Sequence, residues 1–222
     1  MSVAENLSNL IGTLPGNVKL VAVSKTKPVE MIMEAYNIGY KVFGENKVQD
    51  LVSKYEEMPK DIEWHFIGHL QSNKVKYIAP FVSMIHSVDS LKLAKIINKE
   101  AIKNNRIIPC LLQMHIAEED TKFGFSQEEL FQSLENNDFQ QLQNLKICGV
   151  MGMATFTENN NQVRREFASL AKSFNEIKNK FFSNSETGFT EISMGMSGDY
   201  QIAIEEGSTI IRVGSSIFGA RN

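Results

Sequence analysis

A chain of 222 residues suits one large domain or two small ones, and its 42% hydrophobic and 22% charged content is that of a globular protein with a sizeable core. A net charge of −3 and a pI near 5.9 exclude the basic excess that nucleic-acid backbones require. The first lysine is Lys19, no apolar run reaches membrane-spanning length, and Cys110 and Cys148 lie in apolar stretches without metal or redox spacing, so a cytoplasmic chain with buried thiols and no membrane contact is expected.

The chain opens on a capping box, Ser2 with Glu5, ahead of Val3, Leu7, Leu10 and Ile11 at helical spacing. LVAVS (20–24) reads as the first strand. Pro28 then opens a helix whose apolar face is Val29, Ile32, Met33 and Tyr36 and whose end is Gly39. VFGE (42–45) is the second strand, with Asn46 as the expected N-cap of the next helix and Gln49 as its reciprocal partner. WHFIG (64–68) precedes a helix over 72–79, and MIHSVD (84–89) precedes one over 90–104. After IPCLLQMHI (108–116), Glu118, Glu119 and Asp120 read as a solvated acidic turn, and Ser126 with Glu129 caps a helix over 126–136. ICGVMGMA (147–154) leads to a long helix over 160–181. EISMGMS (191–197) leads to one over 198–206 with Ser197 as N-cap, and IIRVGSSI (210–217) is the last strand, with no helix expected after it.

Most of these strands are continuously apolar, the mark of parallel strands covered on both faces. Eight such runs alternating with helices predict a single-domain α/β fold, a (β/α)8 TIM barrel, in which the N-terminal helix fills the place of the missing eighth helix. An open doubly wound sheet is the alternative.

In a barrel the reactive face is at the C-terminal ends of the strands, and the loops after strands seven and eight favour phosphate. Ser197 in GMSGD, and Gly214 and Ser215 in RVGSSIFG, stand at those places, although either motif alone is an ordinary turn. Lys25 stands at the matching end of strand one. It reads either as a snorkelling surface lysine or as a partly desolvated amine able to condense with an aldehyde. Arg212 shares the face of strand eight with Gly214; beside a pyridine nitrogen its guanidinium donates a hydrogen bond and leaves the ring unprotonated.

The motifs VAVSKTKP, FGENKVQ, WHFIGHLQSNK and SMGMSGDYQIAIEEGSTIIRVGSSIFGAR, in this order from residue 20 to 221, resemble those of the pyridoxal phosphate homeostasis protein family, relatives of the alanine racemase barrel. The resemblance implies an alanine-racemase-like barrel binding pyridoxal 5′-phosphate (PLP) as a Schiff base on Lys25. It implies Ser197, Gly214 and Ser215 at the phosphate, Arg212 at the pyridine nitrogen and Asn46 near the cofactor. His69 departs from the family pattern, which has proline there.

His65 and His69 are four residues apart on a strand, roughly 13 Å, too far to share a metal ion. His65, His86 and His115 read as core histidines, and Met151, Met153, Met194 and Met196 as barrel filling. The resemblance implies a monomeric PLP carrier that also takes other B6 vitamers and makes transient contact with PLP-dependent apo-enzymes, without dedicated turnover. Racemisation needs a second base opposite the lysine, supplied in the racemases by a tyrosine from a second domain of a partner subunit, and the five residues after Ile217 leave no room for such a domain. A weakly active PLP-dependent racemase or lyase is the alternative, and a lysine aldolase acting on phosphorylated sugars a third reading.

Overall fold

A computed structural model describes residues 2–118, 123–183 and 188–220. Its strands, β1 (Lys19–Val23), β2 (Val42–Glu45), β3 (Glu63–Phe66), β4 (Met84–Val88), β5 (Ile108–Gln113), β6 (Leu145–Met151), β7 (Glu191–Ser193) and β8 (Ile210–Val213), pair in chain order and close into a barrel. Every pair is parallel, including β1 with β8, so the open sheet is excluded. The continuous apolar runs have a direct cause. Val21, Leu111, Cys148, Met151 and Ile210 pack together inside the barrel, while Leu20, Ala22, Phe43, Trp64, Ile192 and Ile211 join the helices outside it.

The surrounding helices are α1 (Val3–Thr13), α2 (Val29–Asn37), α3 (Val48–Glu57), α4 (Val75–Ile78, after a 3-10 turn at Ser72–Lys74), α5 (Leu91–Lys103), α6 (Gln127–Glu135), α7 (Asn160–Phe181), α8 (Tyr200–Glu205) and α9 (Ser215–Phe218). Both expected capping boxes form, Ser2 with Glu5 and Ser126 with Glu129. Gly39 takes φ +91, and the N–H groups of Gly39 and Tyr40 donate to the carbonyls of Tyr36 and Ala35, the paired bonds that end a helix at a glycine.

Several expectations need correction. The fifth, sixth and seventh strands stop at Gln113, Met151 and Ser193, short of the expected 116, 154 and 197. The last strand stops at Val213, because Gly214 leaves the extended conformation (φ −121, ψ −67) and the short α9 follows where none was expected. Helix α1 packs against both α2 and α9, and Asn6 Nδ2 donates to Ile217 O at 3.1 Å, so the N-terminal helix does take the eighth position. Asn46 is not a cap: Lys47 is extended and occupies the N-cap of α3. Ser197 does not cap α8, which begins at Tyr200 with Asp199 before it; the Asp199 carboxylate instead accepts the Met196 N–H at 2.5 Å and closes the preceding turn. His115 is half-buried rather than part of the core. Of the acidic turn, Glu119 and Asp120 lie outside the described residues.

Both cysteines are buried free thiols, and burial pushes both thiol pKa values up. Among the described residues, no helix is long and apolar enough to cross a membrane.

Candidate functional site

The β7–β8 ladder explains how the last two strands open a cradle. Met194 N–H donates to Ile210 O, and Arg212 N–H to Gly195 O at 2.9 Å. The next rung is different. Gly214 N–H donates to the Ser197 hydroxyl oxygen at 3.1 Å instead of to a carbonyl, so a side chain bridges the strands where they part. Gly214 suits the close approach at this rung: a Cβ there would lie 3.0 Å from Val23 O and 3.3 Å from Val23 Cβ, and the neighbouring β1 would have to give by a few tenths of an ångström. Ser215 is exposed at the first position of α9. Ser197, Gly214 and Ser215 therefore meet at one end of the barrel, with the Ser197 hydroxyl hydrogen and the Ser215 hydroxyl as donors.

Lys25 stands at the same end, two residues beyond Val23 and half-buried. It is the second residue of the turn that follows β1, a strand whose Val21 packs inside the barrel in register with Arg212. Asn46, half-buried after β2, has the same interior parity as Val42 and Gly44. With Lys47 at the N-cap of α3, Asn46 does not serve as a cap.

Below the mouth lies a polar chain that crosses the barrel. Arg212 Nη1 donates to Ser193 Oγ at 2.6 Å and Nη2 to Gly152 O at 3.0 Å. Ser193 Oγ lies 2.9 Å from His86 Nδ1, and His86 Nε2 lies 2.8 Å from His65 Nδ1. All four side chains are buried. One arrangement satisfies every contact: Ser193 Oγ accepts from the guanidinium and donates to His86 Nδ1, and the His86 proton sits on Nε2 and points at His65 Nδ1. Burial keeps both imidazoles neutral, bringing His65 down to about 3 and His86 well below 6.5, the latter also repelled by His65 and Arg212. Burial lowers Arg212 to about 10, which still leaves it protonated at neutral pH.

The sequence reading placed Arg212 correctly on this face and read His65 and His86 as core residues, but missed that they and Ser193 anchor the arginine. Strand parity could have found them, because His65, His86 and Ser193 all occupy interior positions of β3, β4 and β7.

The rim is braced from outside. Glu166 of α7 accepts Thr155 N–H at 2.6 Å, Thr155 Oγ1–H at 2.7 Å, Gln162 Nε2–H at 3.2 Å and Glu118 N–H at 3.3 Å, tying the loops after β5 and β6 to one carboxylate. Burial alone would raise its pKa, but the bonds from Thr155, Gln162 and Glu118 outweigh that and lower it. A lowered folded pKa contributes stability above the unfolded value that disappears as pH falls through the folded one. Glu166→Gln is therefore expected to cost about 1–3 kcal/mol at neutral pH. In thermal melts the gap from the unmodified protein should close below about pH 4; a gap constant with pH would contradict the assignment.

His69, where the family resemblance predicts proline, links three loops. Its ring stacks on Phe123 (centroids 3.8 Å apart, 17° between planes), and its Nδ1 lies 3.0 Å from Asp89 Oδ2, so it joins the loops after β3, β4 and β5.

A closed barrel with a lysine at the tip of its first strand, a buried arginine on its last and a serine-bridged cradle between the final two defines a barrel of the alanine racemase type. The family model for the alanine racemase N-terminal domain matches residues 1–222. Within that class, the chain belongs to the pyridoxal phosphate homeostasis protein family. It is 43% identical to the family protein of Aquifex aeolicus over 204 residues (91% of this chain, 87% of that one) and 39% identical to that of Synechocystis over 216 residues (96% of each). PipY of Synechococcus elongatus, solved with PLP bound, superposes with a TM-score of 0.89 at 36% identity, covering 98% of this chain and 100% of that one. Alanine racemase of Clostridium difficile shares the fold (TM-score 0.78, 14% identity), with 99% of this chain matching 57% of that one.

Proposed function

We propose that this chain holds PLP as a Schiff base on Lys25 and serves as an intracellular carrier of the cofactor, acting as a cytoplasmic monomer that also accepts related B6 vitamers and passes PLP to apo-enzymes by transient contact. The relatives' name and the PLP bound to PipY support the cofactor; the residues at the mouth fit it. Lys25 would hold the aldehyde, Ser197, Gly214 and Ser215 the phosphate, and Arg212 the pyridine nitrogen, with Asn46 alongside. When bound, PLP supplies an aldehyde for reversible covalent attachment and a ring able to withdraw electrons once its nitrogen is protonated.

The observation that carries the carrier reading is the anchored Arg212. Its guanidinium is fixed by Ser193 and Gly152 and stays protonated, so it can only donate to a nitrogen placed before it. A ring held this way keeps its nitrogen unprotonated and withdraws electrons weakly, which suits storage more than amino-acid chemistry. Two neutral histidines behind the serine add no competing charge.

Mixing the PLP-loaded protein with a PLP-dependent apo-enzyme is expected to restore that enzyme's activity, while a panel of amino acids incubated with the loaded protein alone is left unconverted. Steady turnover or racemisation of any amino acid would favour the racemase or lyase reading instead. For the phosphate assignment, Ser197→Ala combined with Ser215→Ala should weaken PLP retention about tenfold or more, one lost bond to a charged group already being worth roughly that factor, while the thermal midpoint falls only by what the lost Gly214 N–H to Ser197 Oγ bond is worth, about 1 kcal/mol. Unaltered affinity for PLP in equilibrium dialysis would contradict it.

A further inference from the structure

Behind the Lys25 strand tip, on the outer side of the barrel wall, lies a buried charged cluster that makes no contact with the polar chain inside. Glu45, the last residue of β2, is fully buried, and Lys54 of α3 is 8% exposed. Lys54 Nζ lies 2.6 Å from Glu45 Oε1, and the same oxygen accepts the Ser24 hydroxyl at 2.6 Å. Lys54 Nζ also donates to the Ser24 carbonyl at 2.8 Å. Glu45 Oε2 is buried without a hydrogen-bond partner among the described residues. An ion pair with half of its carboxylate unsatisfied is a poor way to stabilise a wall that Leu or Met could fill, so its presence asks for another reason.

The reason is in the backbone it grips. Ser24 immediately precedes Lys25. Its carbonyl accepts both the Lys54 ammonium and the Lys27 N–H, the latter at 3.0 Å, closing a four-residue turn from Ser24 to Lys27. Thr26, third in that turn, has φ +65, a conformation suited to glycine or asparagine and strained for a β-branched residue. The other non-glycine residues with positive φ among the described ones are asparagines, Asn105 and Asn137. Strain at Thr26 persists only if the surroundings over-determine the turn, and the convergence on Ser24 does so.

We propose that Glu45 and Lys54 are positioning residues: their buried pair clamps Ser24 and holds the strained turn through Thr26 that directs the Lys25 amine into the barrel mouth. The inference rests on the reading of Lys25 as the PLP attachment point. It goes beyond that reading by giving the outer wall of the barrel a share in how firmly the cofactor is held.

The test uses Lys54→Met, the near-isosteric Glu45→Gln, and Lys54→Met combined with Thr26→Gly. Three quantities are measured on each: total PLP bound by equilibrium dialysis, the fraction fixed on Lys25 by borohydride, and the thermal midpoint. Lys54→Met and Glu45→Gln are expected to keep PLP at the phosphate cradle but to lower the ratio of imine-bound to unattached PLP about tenfold, the scale set by one strained backbone residue. Thr26→Gly should restore the imine in the Lys54→Met background, since glycine adopts the turn unaided; a role in general stability would not be rescued in this way. If Lys54→Met fails to fold, Glu45→Gln decides. A Lys25 imine present in the unmodified protein and unchanged in Glu45→Gln overturns the clamp while leaving the attachment site standing, whereas no imine in the unmodified protein overturns the attachment site itself.

Discussion

Lys25→Ala is expected to give a folded, colourless protein that borohydride can no longer label with a pyridoxyl group. The residue is half-buried at a turn beyond the last rung of β1, so its loss should change folding stability by no more than about 1 kcal/mol. Imine formation should be lost with it, because the other lysine of the turn after β1 is engaged elsewhere. Lys27, two residues on, donates its ammonium to Ala220 O at 2.8 Å across the end of the chain and belongs to the outer rim. Absorption on addition of PLP, with peptide mapping after reduction, checks the outcome. A yellow Lys25→Ala protein carrying its adduct on Lys27 would move the attachment point and undo the role given to the Ser24 turn.

The second large effect concerns Arg212. Read from sequence alone, Arg212→Glu exchanges a donor at the pyridine nitrogen for a carboxylate that favours a protonated ring, and so shifts the absorption of bound PLP. The barrel interior adds a larger consequence. Arg212 is 4% exposed and supplies the hydrogen bonds that satisfy Gly152 O and Ser193 Oγ. A glutamate in its place leaves Gly152 O facing a carboxylate with no cation beside it, at an expected cost of about 3–5 kcal/mol in a denaturant melt. Arg212→Met removes the charge without adding another and should cost about 1–3 kcal/mol for each buried acceptor left unpaired. Arg212→Glu melting within 1 kcal/mol of Arg212→Met would contradict the buried polar chain, and identical spectra of bound PLP in all three proteins would remove Arg212 from the ring.

Much of this architecture was legible because it is written locally. Helix α7 falls on the expected 160–181, and the capping boxes at Ser2 and Ser126 form, since helical spacing and cap chemistry need only neighbours in sequence. The strands were legible for the same reason, although the fifth to eighth were drawn three or four residues too long: in the last, VGSSI is apolar enough to read as strand, yet its glycine and serines turn into α9. Asn46 and Ser197 were misread as caps because each precedes a helix and has the right side chain. What excludes them is the extended Lys47 in one case and the Asp199 turn in the other, features of backbone path that composition does not encode.

The long-range polar contacts were the least legible. Ser193 and His86 are 107 residues apart in sequence, and Lys54 reaches Ser24 across 30. A buried serine or lysine in a single sequence looks like a surface residue until the topology places it. Lys25 and the cradle serines were singled out through motif and position, and one measurement tests their assignment to PLP.

That measurement is direct. The full chain is mixed with PLP, reduced with borohydride, digested and mapped. The expected result is a yellow protein before reduction and one dominant pyridoxyl adduct afterwards, on the peptide containing Lys25. A protein that stays colourless in excess PLP, or an adduct scattered over exposed lysines with Lys25 unmodified, would contradict the central claim that the tip of the first barrel strand holds the cofactor.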